Sequence, residues 1–231
     1  TSLVEVENTT NKGGGACWDF EELKKIKKVC DTHNLGYHLD GARLWNALVT
    51  NKETPLQYGE LFDTISVCLS KGLGCPIGSV LIGNEDVMKQ SVRLRKVFGG
   101  NMRQVGYLAA AGLYALDNNI ERLSADHIKA KEIGEVLANC SFIKTVEQIE
   151  TNIIIFELND DIDVYGTTFW TKSPFERTYE AKLSINDYNW ITYFNQSKRH
   201  VVDLDIGYVN ELSETSYNKL KQYLMPFKKS F

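Results

Sequence analysis

The sequence predicts an open α/β fold with a mainly parallel, helix-covered sheet, followed by a smaller α+β region. Three observations carry that expectation. Two apolar, strand-like runs pass directly into polar, glycine-containing turns, in the stretches GYHLDGARLW (residues 36–45) and SVCLSKGLGCPIGS (residues 66–79). Strand-like and helical patterns alternate through the first part with short connections, as parallel β–α–β units require. Near Cys140 the pattern changes to hairpin-like strands with one late helix, so the expected domains are 1–138, large, and 139–231, small.

Each element has its own signal. Residues 2–6 alternate as a strand and run into ENTTNKGGG, whose consecutive glycines suit either a plain tight turn or a backbone that approaches a ligand. Asp19, with Glu22 three residues on, opens a helix whose Phe20, Leu23, Ile26, Val29 and Cys30 recur at helical spacing, with lysines on the solvated side. His33 and Asn34 end it, and Gly36 supplies the break. Residues 37–39 form the core of the next strand, and a helix is expected from near Arg43 to Val49. Residues 63–70 read as a strand, with 79–82 as a short run that can pair beside it. Three helices are expected next, over 85–98, over 103–116, which is alanine-rich and expected to be buried, and over 119–138. Residues 151–158 are a strong strand, 190–194 and 199–206 are strand-like, and a helix is expected near 213–223.

Composition narrows the function classes. The chain has 231 residues, 43% hydrophobic and 24% charged, which is ample for a globular core. A net charge of −4, with Lys and Arg scattered, favours neither nucleic acid nor an anionic membrane surface. The longest small-apolar run, 107–116, is too short to cross a bilayer. The five cysteines form no C-x-x-C pair, which fits reduced thiols in a cytoplasmic protein better than metal ligands. The four histidines show no paired spacing, and Ser70 is not in a G-x-S-x-G elbow. The chain begins with Thr1 and goes straight into a strand, so further sequence is expected ahead of it.

The two turns carry the chemistry. Ligands bind at the carboxyl ends of strands in open parallel sheets. One turn offers Asp40 and Arg43, and the other offers Lys71 between Ser70 and Gly72. A lysine that closes an apolar strand is solvated in its turn, paired or used covalently, and desolvation favours the neutral amine that imine formation needs. Asp40 reads equally as a turn and helix-start device or as the partner of a pyridinium proton. The planar fork of Arg43 suits a surface ion pair, a substrate carboxylate or an aromatic-ring oxygen. A carboxylate and a lysine together form the minimum protein kit for pyridoxal phosphate (PLP) chemistry.

These motifs resemble the threonine aldolase group of the β-eliminating lyase family, PLP enzymes of fold type I. The resemblance rests on ENTTNKGGG (7–15), HLDGARLWN (38–46), residues 66–79 and RLRKVFGGNMRQ (93–104), and more thinly on RHVVDLDI (199–206). It implies the later part of a fold type I large domain plus a C-terminal domain, with the N-terminal portion, which carries the phosphate-binding loop and the ring-stacking residue, lying outside these residues. It also implies that Lys71 forms the Schiff base, Asp40 pairs with the pyridine nitrogen, and Arg43 faces the phenolic oxygen or the substrate carboxylate. By the same resemblance Arg199 clamps the substrate carboxylate, while Lys96 and Arg103 reach the phosphate. The implied reaction is cleavage of L-threonine or L-allo-threonine to glycine and acetaldehyde, in a homodimer or homotetramer with sites at the interface. The sequence departs from the family at Thr10 and Asp203, where histidine is usual, and at Asn101, where a third glycine is common. Those departures leave two alternatives: a PLP β-eliminating lyase acting on another amino acid, and an inactive, truncated relative that oligomerises.

Overall fold

A computed structural model describes residues 1–159 and the backbone of two further strands, 190–194 and 199–203. Its Cα packing divides the chain into two compact units. The first is Thr1–Thr10 with Ala16–Leu123, and the second is Asn11–Gly15 with Ser124–Phe231. The boundary expected at 138/139 follows a change of secondary-structure pattern; Cα packing groups the residues differently, dividing the Leu123–Ala138 helix after Leu123 and placing the glycine loop in the second unit.

The first unit contains β1 (Leu3–Glu7), α1 (Phe20–Thr32), β2 (Gly36–Gly41), α2 (Leu44–Asn51), α3 (Pro55–Leu61), β3 (Thr64–Cys68), β4 (Ser79–Gly83), α4 (Glu85–Val97) and α5 (Gly106–Asn118). The sheet order is β1-β2-β3-β4. β1/β2 and β2/β3 are parallel, and β4 is antiparallel to β3. Asp19 caps α1 as expected, its Oδ1 accepting from the N–H groups of Glu21 and Glu22 at 2.7 and 3.2 Å. Leu23 and Cys30, two turns apart, bury one stripe of α1 beneath the sheet's aromatic core. In that core the Tyr37 and Phe62 rings stack at 4.2 Å, with Tyr58 6.1 Å from Phe62. The sequence reading missed α3, although Thr54 and Gln57 form a full capping box ahead of Pro55.

One expectation is overturned. α5 is not a buried helix: Gly112 and Ala115 are its buried residues, while Leu113 and Tyr114 are about two thirds exposed, at 65% and 66%. Alanine favours helix without needing a partner, so its abundance specified the backbone but not the burial.

The second unit contains α6 (Leu123–Ala138), β5 (Ile143–Val146), β6 (Ile153–Leu158), β7 (Trp190–Phe194) and β8 (Arg199–Asp203), all but the first residue of α6 lying within it. Its sheet runs β5-β6-β8-β7 with every pair antiparallel. β6 is covered on both faces, as its unbroken apolar run requires. Ile154 and Phe156 pack with Ala130, Ile133 and Leu137 of α6, whereas Ile153 and Ile155 point the other way. The glycine loop explains itself here. Gly14 and Gly15 both have φ near +73°, and a Cβ on Gly15 would lie 3.1 Å from the Cβ of Ile153. Thr151 Oγ1 donates to the Gly15 carbonyl at 2.7 Å. Those glycines therefore answer to packing on β6. The helix expected near 213–223 lies outside the described residues.

Candidate active site

Three strands bring their carboxyl ends to one edge of the first sheet. Glu7 at the end of β1 pairs with Asp40 at the end of β2, and Asp40 pairs with Ser66 of β3. The Asn8 N–H extends that ladder by donating to the Asp40 carbonyl at 3.0 Å. Asp40 therefore stands at the edge with Lys71 three residues beyond the end of β3. This is the edge at which open parallel sheets bind ligands.

The turn after Asp40 is shaped by crowding. A Cβ on Gly41 would lie 2.6 Å from the Ser66 carbonyl oxygen and 3.1 Å from the Leu44 Cβ, so no larger residue fits between β2 and β3. Half-buried Asp40 turns one oxygen inward, Oδ1 accepting from the Ala42 N–H at 2.9 Å. That bond fixes the carboxylate plane over the start of α2. Arg43 follows as the N-cap of α2, with only 5% of its surface exposed. A guanidinium buried to that depth is an unusual use of the residue and belongs to a polar site more readily than to a surface.

The lysine loop is held from several sides. The Gly74 N–H donates to the Lys71 carbonyl at 2.7 Å, the Cys75 N–H to Leu69 at 3.1 Å, and the Leu69 N–H to Gly78 at 2.9 Å. Leu73, 1% exposed, anchors the loop in a small core with Cys75, Ala115, Leu69 and Trp45. Asn119 Nδ2 donates to the Leu73 carbonyl at 2.7 Å, and an Arg122 Nη to the Gly72 carbonyl at 3.0 Å. Lys71 itself is half-buried, with Nζ 3.2 Å from the Cys68 Sγ. The sequence reading missed Cys68, Asn119 and Arg122. Asn119 and Arg122 lie 46 and 50 residues from the carbonyls they hold, and no local pattern signals such a contact.

The other expected site residues stand as follows. Lys96 is exposed in the last turn of α4, and Arg103 is exposed in the connection to α5. Arg199 opens β8 in the second unit, its backbone paired with Glu157 of β6. Buried Asn8, in the ENTT motif, is occupied structurally: its Nδ2 donates to the Tyr58 hydroxyl at 3.0 Å, and that hydroxyl donates to Glu53 at 2.7 Å. A cavity of about 400 Å³ opens beside the amino end of β3, lined by Phe62, Asp63, Ile65, Ile82, Gly83 and Asn84, and holds none of these site residues.

The model of the beta-eliminating lyase family matches residues 1–161. The chain belongs to that family. Family members are PLP-dependent enzymes, and the threonine aldolases among them are carbon–carbon lyases. Low-specificity L-threonine aldolase 1 of Arabidopsis thaliana is 39% identical over 161 residues, covering 69% of this chain and 45% of the relative. The low specificity L-threonine aldolase of Escherichia coli O157:H7 is 40% identical over 161 residues, covering 70% and 47%. The solved structure of Leishmania major threonine aldolase superposes with a TM-score of 0.65 at 21% identity, covering 96% of this chain and 61% of that one. At that identity the superposition speaks for the fold, which is the fold type I architecture of this beta-eliminating lyase. The chain spans less than half the length of the curated relatives it matches.

Proposed function

We propose that this beta-eliminating lyase is a PLP-dependent aldehyde-lyase that cleaves L-threonine or L-allo-threonine to glycine and acetaldehyde. The observation that carries the reading is the placement of Asp40 near the carboxyl end of β2 and of Lys71 three residues beyond the carboxyl end of the adjacent parallel β3. The identity of about 40% to low-specificity L-threonine aldolases supports the substrate class.

The donor set fits the cofactor. Lys71 offers one primary amine from a loop whose backbone is held by hydrogen bonds within the loop and from Asn119 and Arg122. Asp40 offers an oriented carboxylate for a ring N–H, held by the Ala42 amide. When bound, PLP supplies the aldehyde that condenses with amines and a ring that withdraws electrons from the substrate's Cα. With PLP bound, the Asp40 carboxylate would hold the proton of the ring nitrogen. Arg43 and Arg199 are the candidates for the substrate carboxylate, which a planar guanidinium grips in bidentate fashion. Fixing that carboxylate sets which bond at Cα is aligned for cleavage. Lys96 and Arg103 are the candidate cations for the cofactor phosphate. The reading extends to a cytoplasmic homodimer or homotetramer, with residues 1–138 as the PLP-binding large domain and 139–231 as a smaller C-terminal domain.

The test is product analysis with purified chain, PLP and each threonine diastereomer. Glycine and acetaldehyde should appear in equal amounts and be lost in Lys71→Ala. Unchanged turnover in Lys71→Ala, or ammonia and a keto acid in place of acetaldehyde, would overturn the proposal.

A further inference from the structure

The Lys71 amine makes a side-chain contact with a thiol. Nζ lies 3.2 Å from the Sγ of Cys68, the last residue of β3, within hydrogen-bonding range for a sulfur acceptor. The contact spans one tight turn whose backbone is pinned by Leu73, Asn119 and Arg122. Those contacts hold the backbone on which Cys68 and Lys71 stand three residues apart. Of the five cysteines, Cys30, Cys75 and Cys140 are buried, and Cys17 and Cys68 are half-exposed. Cys68 therefore combines reach to the lysine with access from solvent.

We propose that Cys68 is a positioning residue that holds the Lys71 amine toward the strand edge, and that this makes the site sensitive to thiol-directed electrophiles. The proposal rests on the lysine role assigned above. The physical argument is one of contrast. A carboxylate in place of the thiol would pair with the ammonium form and oppose release of the proton that an attacking amine must lose. A thiol is a weak acceptor, so it orients the amine without contributing a full charge. A small substituent on Sγ would occupy the space that Nζ uses. Alkylation by iodoacetamide does this: sulfur forms a bond to carbon, iodide leaves, and the thiol proton goes to solvent.

The experiment uses the full chain in a Cys17→Ser background, with peptide mass mapping as the readout. Two labels are applied to Lys71: acetic anhydride, which needs no cofactor, and PLP followed by borohydride. Their rates are compared between Cys68 and Cys68→Ala, with exposed Lys28 as the internal reference. Removing the sulfur should speed acetylation of Lys71 about threefold, the size expected of one weak hydrogen bond, because the amine is no longer held. It should slow pyridoxyl labelling by a similar factor, because the amine is no longer aimed. Cys68→Ser, which retains an acceptor, should restore pyridoxyl labelling toward the original rate. Carboxamidomethylation of Cys68 should suppress pyridoxyl labelling further. General unfolding would speed acetylation at other lysines too, so opposite changes confined to Lys71 separate positioning from damage. Unchanged acetylation of Lys71 in Cys68→Ala would overturn the proposal. If acetylation changes as expected while no pyridoxyl adduct forms in any variant, the thiol contact stands and the cofactor reading fails.

Discussion

Asp40 and Gly41 are neighbours under different constraints. Asp40 is oriented by its bond to the Ala42 amide, and Gly41 is the residue that leaves room for the Ser66 carbonyl. The pairing of aspartate with glycine at a strand end was legible in the sequence because both serve local geometry. The Cys68–Lys71 contact was not legible, since it depends on how sharply the chain turns after β3. His127 illustrates a residue whose protonation is set chiefly by burial. It lies on α6 at 7% exposure, where desolvation, with Lys131 one turn on adding to it, lowers its pKa from 6.5 to about 4. The neutral ring is the folded form. Below pH 6.5 the unfolded chain takes up a proton that the folded chain refuses, so stability falls as pH drops from 6.5 toward 4. The full effect is about 3 kcal/mol at one pKa unit per 1.4 kcal/mol. Urea midpoints measured from pH 7 to pH 4 should decline more steeply for the native chain than for His127→Gln. Parallel declines would show that the ring is accessible to protons in the folded state.

At the scale of elements, periodicity and caps were good guides, and partners were not. The strands at 36–41 and 64–68 and the helix at 20–32 follow from alternation, helical spacing and the Asp19 cap. α3 escaped notice because seven residues with an internal glycine give too little period to read, although its capping box was present in the sequence. The apolar, alanine-rich composition of α5 predicts a buried helix, yet Leu113 and Tyr114 lie exposed on it. The loop from Leu69 to Gly78 is the element on which the site depends most, and its anchor is Leu73. Replacing Leu73 by Ala should cost about 3 kcal/mol, the range for emptying a filled aliphatic site. Leu56, 69% exposed on α3, supplies the control: Leu56→Ala should change stability by less than about 0.5 kcal/mol. Equal costs in chemical denaturation would mean that the loop is not held by its side-chain core.

At the scale of the molecule, the parallel pairing that puts the ends of β1, β2 and β3 at one sheet edge was announced by the β–α–β pattern, whereas the fold type I architecture was implied by the family resemblance. The second unit was less readable. Its central strand was plain from an unbroken apolar run, while β5, with a lysine and a threonine among four residues, was not. Nor does local sequence say that Asn11–Gly15 packs with a unit whose other residues begin more than a hundred positions later. The central claim is that the strand edge carrying Lys71 is a cofactor site, and the most direct measurement is spectroscopic. PLP added to the chain should produce a visible absorption band, and borohydride followed by peptide mapping should place the pyridoxyl group on Lys71. A band with the label on another lysine, or no band in this chain and in its longer relatives' equivalent carrying the same Lys71 loop, would contradict the account.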